Sequence, residues 1–290
     1  MHRFIALFVV VFSFQLSFAQ DQLSQNTVEK LYRRGTELVN HANFGAARQV
    51  FTEFLQAAPA TDSRRAEAEY YVAFSALTLG HLDGEKLIDD FIDNNAASPK
   101  AATAYYDLAN FFYSQGNYIK ASNYYRKVDF AALTTDQQAQ AHFKWGYAFF
   151  NQKKLDEALE QFNFVKRLSN SYSPAANYYA GFIEYSKGRF DEALTDLKKA
   201  EANAAYAKIV PYLIVNIYYR QGRYDTMLEY ANTLKSRTDV ANQNEIAVLV
   251  AEAQYYKGDF KKALEAYEKY LSSAPKAESS LLFRAGFANY

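Results

Sequence analysis

The sequence contains no cysteine and no Asn-x-Ser/Thr sequon. Without cysteine there is no disulfide framework, so a packed core must hold the chain together. The thiol that a bacterial lipoprotein signal would acylate is also missing. We therefore expect no lipid anchor on this chain.

The chain also has no excess of charge of either sign. Its 32 Lys and Arg residues balance 32 Asp and Glu residues. A chain without net charge creates no field that would attract nucleic acid or an anionic membrane surface. We expect no nucleic-acid partner.

Residue patterns that would carry catalysis or bind metal are missing as well. None of the four histidines has a second histidine or a carboxylate at metal-binding spacing, so we expect no metal and no cofactor. The stretch 80–86 resembles a phosphate loop only in outline, since its glycines are four residues apart and no Ser or Thr follows the lysine. Asp89, Asp90 and Asp93 are more typical of a solvated helix face than of an acid/base pair. We expect no enzyme.

The first nineteen residues have the form of a signal peptide. A basic start is followed by an apolar run from Phe4 to Phe14, and Ser17 and Ala19 supply the small residues of a cleavage site. The run is too short for a confident membrane span. We expect cleavage after Ala19, a periplasmic location and no membrane insertion of the mature chain, with an uncleaved anchor as the alternative.

The rest of the chain repeats the pattern Gly-x-[Phe/Tyr]-x-x-Ala, clearest at 116–121, 188–193 and 258–263. Apolar residues with helical spacing precede and follow each copy. This predicts helix–turn–helix units in which the glycine adopts the left-handed conformation that ends the first helix. An aspartate that often follows the aromatic residue, as at Asp156, Asp191 and Asp225, would cap or favour the second helix.

The units recur every 34 to 38 residues. They begin near Val28, Ala66, Ala102, Ala139, Pro174, Lys208, Asn244 and Ser279. Most carry a small residue at unit position 8, alanine at 20 and a bulky residue at 24. With this period, the chain resembles the tetratricopeptide repeat family. The second unit departs from the pattern with Glu85 at position 20 and Asp89 at 24, and the sixth with Val215 at 8.

The resemblance implies an all-α, right-handed superhelical solenoid of antiparallel helix pairs. About seven units and a partial eighth would span residues 28–290, after a signal peptide (1–19) and a lead-in (20–27). The last stretch corresponds to the first helix of an eighth unit. This suggests a solenoid that continues beyond the sequence, or else a terminal helix that acts as a cap.

Aromatic residues are unusually frequent, with 25 Tyr and 23 Phe. In the family that the chain resembles, first helices line the concave wall, and positions 5, 9 and 12 face the groove. In units three to six these positions are Tyr106, Asn110, Tyr113, Phe143, Tyr147, Phe150, Tyr178, Phe182, Tyr185, Tyr212, Asn216 and Tyr219. We predict that this set, the aromatic wall, binds a protein or peptide, because tyrosine is enriched in interface hot spots. The alternative is that these rings pack adjacent repeats together.

Three functions remain open on the sequence alone. The first is a non-catalytic interaction scaffold in the bacterial cell envelope. The second is the sensing or accessory region of a longer signalling protein or enzyme. The third is a glycan-binding envelope component. The sequence does not determine the oligomeric state.

Overall fold

The computed structural model describes residues 25–168, 170–273 and 279–288, nearly all of them in helices or the turns between them. Helix α1 spans 25–40. It is followed by α2 (Phe44–Ala57), α3 (Arg65–Thr78), α4 (Gly84–Asn94), α5 (Pro99–Ser114), α6 (Tyr118–Tyr125), a 3-10 turn (Phe130–Ala132), α7 (Thr135–Asn151), α8 (Leu155–Lys166), α9 (Ser173–Ser186), α10 (Phe190–Glu201), α11 (Val210–Arg220), α12 (Tyr224–Thr233), α13 (Gln243–Tyr256), α14 (Phe260–Ser273) and α15 (Ser279–Ala288).

These helices confirm the predicted all-α repeat architecture. Seven helix pairs, from α1–α2 to α13–α14, are followed by α15 as the first helix of an eighth unit. The described part of the chain contains no β-strand. The predicted signal peptide lies outside the described residues, and residues 25–27 of the predicted lead-in belong to α1.

The turns within the pairs have the left-handed residue that the glycine pattern predicts. Gly80, Gly116, Gly188, Gly222 and Gly258 all have φ between 67° and 78°. The two pairs without a glycine at this place use Ala42 (φ 55°) and Lys153 (φ 62°) instead. A side chain is strained in this region, so these two turns are expected to be the less stable ones.

Small residues allow the two helices of a pair to approach closely. A Cβ added to Gly146 would lie 2.9 Å from the Phe162 ring, and one added to Gly181 would lie 2.8 Å from Cγ of Leu197. Phe162 and Leu197 are fully buried. Each glycine thus makes room for the bulky residue at position 24 of the same unit.

The second unit follows this same rule, and the departure that the sequence suggested is wrong. The close-contact residue follows the left-handed Gly80 by four positions, where it follows Gly116 and Gly188 by five. Gly84 therefore takes the place of the close-contact alanine, and a Cβ there would lie 2.5 Å from Cα of Leu77. Ile88, fully buried, takes the bulky position. Glu85 and Asp89 point elsewhere and accept hydrogen bonds from Tyr124 (2.7 Å) and Tyr105 (3.2 Å).

The predicted aspartates lie in the first turn of the second helices but are not their N-cap residues. Helices α8, α10 and α12 have Lys154, Arg189 and Arg223 at their N-caps, with no side-chain capping bond. The aspartates lie in the first turn, where a negative charge is favourable.

Each of these aspartates also contacts the end of the next unit's first helix. Asp156 pairs with Lys187 and Asp225 with Lys257. Asp191 accepts a hydrogen bond of 3.1 Å from Gln221. The same sequence position therefore links successive repeats.

The described residues fall into two compact units. One comprises the residues up to Phe111 together with Asn123–Leu133, and the other comprises Phe112–Ser122 and the residues from Thr134 onward. Each has its own apolar core, centred for example on Phe51 and Phe54 in the first and on Leu197 and Ile214 in the second. Among the described helices, none is both long enough and apolar enough to cross a bilayer.

Candidate functional site

The aromatic wall predicted from the sequence is mostly half-buried. Tyr106 is only 7% exposed and Phe182 is 36% exposed. The other ten residues are half-buried. Tyr106 and Asn110 belong to the first compact unit and the other ten to the second. Ring contacts among these residues occur within the second unit, as between Tyr113 and Tyr147 and between Phe150 and Phe182.

Ring contacts between successive repeats occupy much of the wall. The Tyr147 ring lies 6.0 Å from that of Tyr113 and 5.3 Å from that of Tyr179. Tyr179 also contacts Phe150 at 5.2 Å and stacks on Phe162 at 5.5 Å. Sequence reasoning missed Tyr179, although it directly follows a predicted wall position.

Tyr178 has a second partner that the sequence did not indicate. Its ring stacks on Tyr206, in the turn before α11, with 4.9 Å between the centroids. Burial raises the pKa of the Tyr178 hydroxyl. This predicted contact residue therefore packs against the turn that leads into the next repeat.

Tyrosine hydroxyls form hydrogen bonds that run from one repeat to the next. Tyr185 donates to Oδ1 of Asn216 at 2.9 Å, and Tyr219 donates to Glu252 at 3.4 Å. In the first compact unit, Tyr70 donates to Asp107 at 2.7 Å. These bonds explain why many wall positions are tyrosine, since phenylalanine would leave the polar partner without its donor.

The two asparagines of the wall differ in whether their side chains keep a hydrogen-bonding group free for a ligand. Asn110 donates to the carbonyl of Tyr106 (2.9 Å) and accepts from the hydroxyl of Tyr125 (3.0 Å), so it serves the fold. Asn216 uses Oδ1 for Tyr185, whereas its amide nitrogen donates no hydrogen bond within the described residues.

Four residues on α9 and α11 form a small accessible surface, which we call the Tyr185 patch: Phe182, Tyr185, Asn216 and Arg220. The Arg220 guanidinium lies 5.1 Å from the centroid of the Tyr185 ring. Arg220 is exposed and forms no ion pair among the described residues. Burial raises the pKa of Tyr185, and the charge of Arg220 opposes that rise. An exposed ring, an amide donor and an uncompensated cation together suit a peptide that carries a carboxylate.

His142 is held in place by a ring contact and a side-chain partner. His142 stacks on Phe164 with 3.8 Å between ring centroids, and its Nδ1 lies 2.8 Å from Oε1 of Gln161. Burial lowers the pKa of His142. Within the described ranges, no group of three or more His, Asp or Glu side chains is placed to hold a metal ion.

Comparison with protein families supports the repeat assignment. Models described as tetratricopeptide repeat match residues 101–128, 143–208 and 248–277. The chain contains tetratricopeptide repeats. The matched segments coincide with helix pairs of the structure, in repeats three, four, five and seven.

A curated relative carries the same type of repeat. The TPR repeat-containing protein MJ1428 of Methanocaldococcus jannaschii is 30% identical over 172 residues. The match covers 59% of this chain but only 29% of that protein. The chain therefore spans less than a third of the length of this relative.

Solved structures share the fold at low sequence identity. YrrB, described as a TPR protein with an unusual peptide-binding site, is 20% identical, with a TM-score of 0.52 over 69% of this chain and 97% of that chain. MamA AMB-1 is 19% identical, with a TM-score of 0.50 over 63% of this chain and 96% of that chain. These likenesses establish the helical repeat fold.

Proposed function

We propose that the chain is a non-catalytic scaffold of the bacterial cell envelope that binds a protein or peptide through the first helices of its repeats. The observation that carries the proposal is the Tyr185 patch. There the aromatic wall is accessible, and an amide and a guanidinium are available. The peptide-binding site named for YrrB is a property of that protein, and we extend only the class of partner to this chain.

The contacts of the aromatic wall indicate that some of its residues stabilise the fold and that others are available to a partner. The ring of Tyr147 packs against the repeats before and after it, and that of Tyr178 packs against the turn after α10, so removal of either ring would cost stability. Phe182 and Arg220 are the exposed members of the patch, so their removal should cost less stability than removal of the half-buried rings, although the Phe182 ring contacts that of Phe150 at 6.0 Å. The partner is therefore expected to contact Phe182 and Arg220 first, with the neighbouring tyrosines forming the edge of the site.

The envelope location rests on the leader. The apolar run from Phe4 to Phe14 and the small residues Ser17 and Ala19 support export, and the absence of cysteine favours a chain without a lipid anchor. A mature chain free in the periplasm could reach partners in either membrane or in soluble complexes.

Affinity capture from the envelope fraction of the source organism tests this proposal. The double variant Phe182→Ala/Arg220→Ala should lose the partners that the wild type retains, since a central anchor contributes about 2 kcal/mol or more. Its circular dichroism and melting should remain close to those of the wild type.

The matched control is Ile119→Ala/Lys199→Ala, which removes an exposed apolar side chain and an exposed cation elsewhere in the same compact unit. The control should retain every partner. The proposal fails if the patch variant captures the same partners as the wild type, or if the control loses them equally.

A further inference from the structure

A groove between α12, α13 and α14 is lined by none of the residues of the Tyr185 patch. Its volume is about 970 Å³. The turn after α12 completes its wall, and every lining residue belongs to the second compact unit. We call it the α12–α14 groove. This volume lies at the upper end of the range that is typical of ligand pockets.

The sixth repeat, which forms one side of the groove, has a small residue where the other repeats have a large one, and large residues where they have small ones. In the other six pairs, the residue at position 24 is bulky and fully buried: Phe51, Ile88, Tyr125, Phe162, Leu197 and Tyr267. The sixth repeat has Ala231 at this place, and it has Val215 and Met227 where others have small residues. Ala231 lines the groove. Since alanine ends at Cβ, this wall lacks the bulk found at the equivalent place elsewhere.

The floor of the groove is apolar. Leu234, Val240 and Ile246 are buried beneath it, while Val250 is half-buried and Ala247 is exposed. An apolar side chain that lies over Ala247 and Val250 would remove this surface from water. Burial of apolar area favours binding by roughly 25 cal/mol per Å².

Four amide side chains surround this apolar floor: Asn232, Gln243, Asn244 and Gln254. Gln243 donates to the carbonyl of Arg237 at 3.1 Å. The side chains of the other three make no hydrogen bond within the described residues, and that of Gln254 is half-buried. Amides both donate and accept, as a peptide backbone does, whereas a lipid tail would leave them without partners. The chemistry of the rim therefore favours a peptide.

The charges of the rim favour an acidic peptide. The groove is lined by four cationic residues and one acidic residue, Glu229. Arg237 and Lys262 are paired with Asp239 and Asp259. Lys235 is exposed and has no ion partner in the described part of the chain. A ligand carboxylate can therefore pair with Lys235 without breaking an ion pair of the described residues.

We infer that the α12–α14 groove binds a short peptide segment with a bulky apolar side chain next to Asp or Glu. The apolar side chain lies over Ala247 and Val250, and a carboxylate pairs with Lys235. The backbone hydrogen-bonds to the amides of the rim. This site is separate from the Tyr185 patch, so one chain would hold two partners, or two segments of one partner.

Selection from a random heptapeptide phage library tests this inference. The library is selected on the wild-type mature chain and counter-selected on Ala247→Trp, whose indole would cover the floor. The recovered sequences should share a bulky apolar residue beside an acidic one. A synthetic peptide of the consensus sequence should bind the wild type and lose at least about tenfold in affinity for Ala247→Trp.

Charge variants separate a folding defect from a lost contact. Lys235→Glu should also weaken the consensus peptide by about tenfold or more, while Lys199→Glu, an exposed lysine outside the groove, should leave binding unchanged. Phe182→Ala should have no effect, which distinguishes this site from the proposed scaffold surface. The inference is overturned if no sequence is enriched on the wild type over Ala247→Trp, if the enriched sequences are basic, or if Lys235→Glu binds as the wild type does.

Discussion

Gly181 and Gly286 occupy the same position of the repeat, yet alanine at these two places should change stability in opposite directions. At Gly181 the second helix of the pair, α10, packs directly against the backbone of the first. An alanine Cβ there would lie 2.8 Å from Cγ of Leu197 and 3.2 Å from the carbonyl oxygen of Ala193. At Gly286 no atom of the described chain would lie within 4 Å of the new Cβ.

The expected magnitudes follow from two opposing contributions. Replacing glycine by alanine within a helix stabilises it by roughly 1 kcal/mol. Overpacking of a filled core costs about 1–3 kcal/mol. Leu197 is fully buried and the Ala193 oxygen belongs to the backbone of α10, so the two contacts can be relieved together only by moving α10. Gly181→Ala should therefore lose about 1 kcal/mol net, whereas Gly286→Ala should gain up to about 1 kcal/mol.

Urea unfolding of the two variants, with hydrogen exchange resolved by repeat, measures both effects. Faster exchange in Gly181→Ala should be concentrated in α9, α10 and their neighbours, because repeats couple mainly to adjacent repeats. Slower exchange in Gly286→Ala should be confined to α15 and α14. Equal effects at the two glycines, or a more stable Gly181→Ala, would refute the packing described here.

Three further predictions concern the turns, a buried acid and the leader. Lys153→Gly should stabilise the chain by about 1 kcal/mol and Gly188→Ala should destabilise it by a similar amount in urea unfolding, because both residues have positive φ (62° and 75°). Burial and the nearby Asp196 raise the pKa of Glu184 to about 7, so the native state keeps a proton that the unfolded chain loses near its ordinary value of 4.5. The free energy of unfolding should therefore fall as pH rises from 4.5 to 7, and a titration series should show this fall reduced in Glu184→Gln. Mass spectrometry of the exported protein should show a chain that begins at Gln20, and a retained apolar run would indicate an anchor instead.

The repeat pattern could be predicted from the sequence because it depends on local chemistry. The turn glycines need a left-handed backbone and the helix pairs need a small residue at their contact, and both requirements recur at a fixed spacing. The second repeat was misaligned by one residue because its close-contact residue, Gly84, lies four positions after the left-handed glycine and not five. Only the close contact of Gly84 with Leu77 identifies the register of that repeat.

The roles of the aromatic residues could not be predicted in the same way. The period shows that these residues share a face, but it does not show whether a ring meets a partner or the next repeat. The hydrogen bond from Tyr185 to Asn216 joins residues 31 positions apart, and the stacking of Tyr178 on Tyr206 involves a turn outside the pattern. Both contacts depend on how helices and turns that are distant in the sequence are placed, and this placement is a property of the fold.

Site-specific photo-cross-linking in the source organism tests the proposed binding surface most directly. A benzophenone amino acid replaces Phe182, which is 36% exposed within the Tyr185 patch, or Leu82, which is fully exposed in a turn of the second repeat. We predict a discrete cross-linked partner from position 182 and none from position 82. No cross-link from position 182, or the same products from both positions, would contradict binding through the first helices.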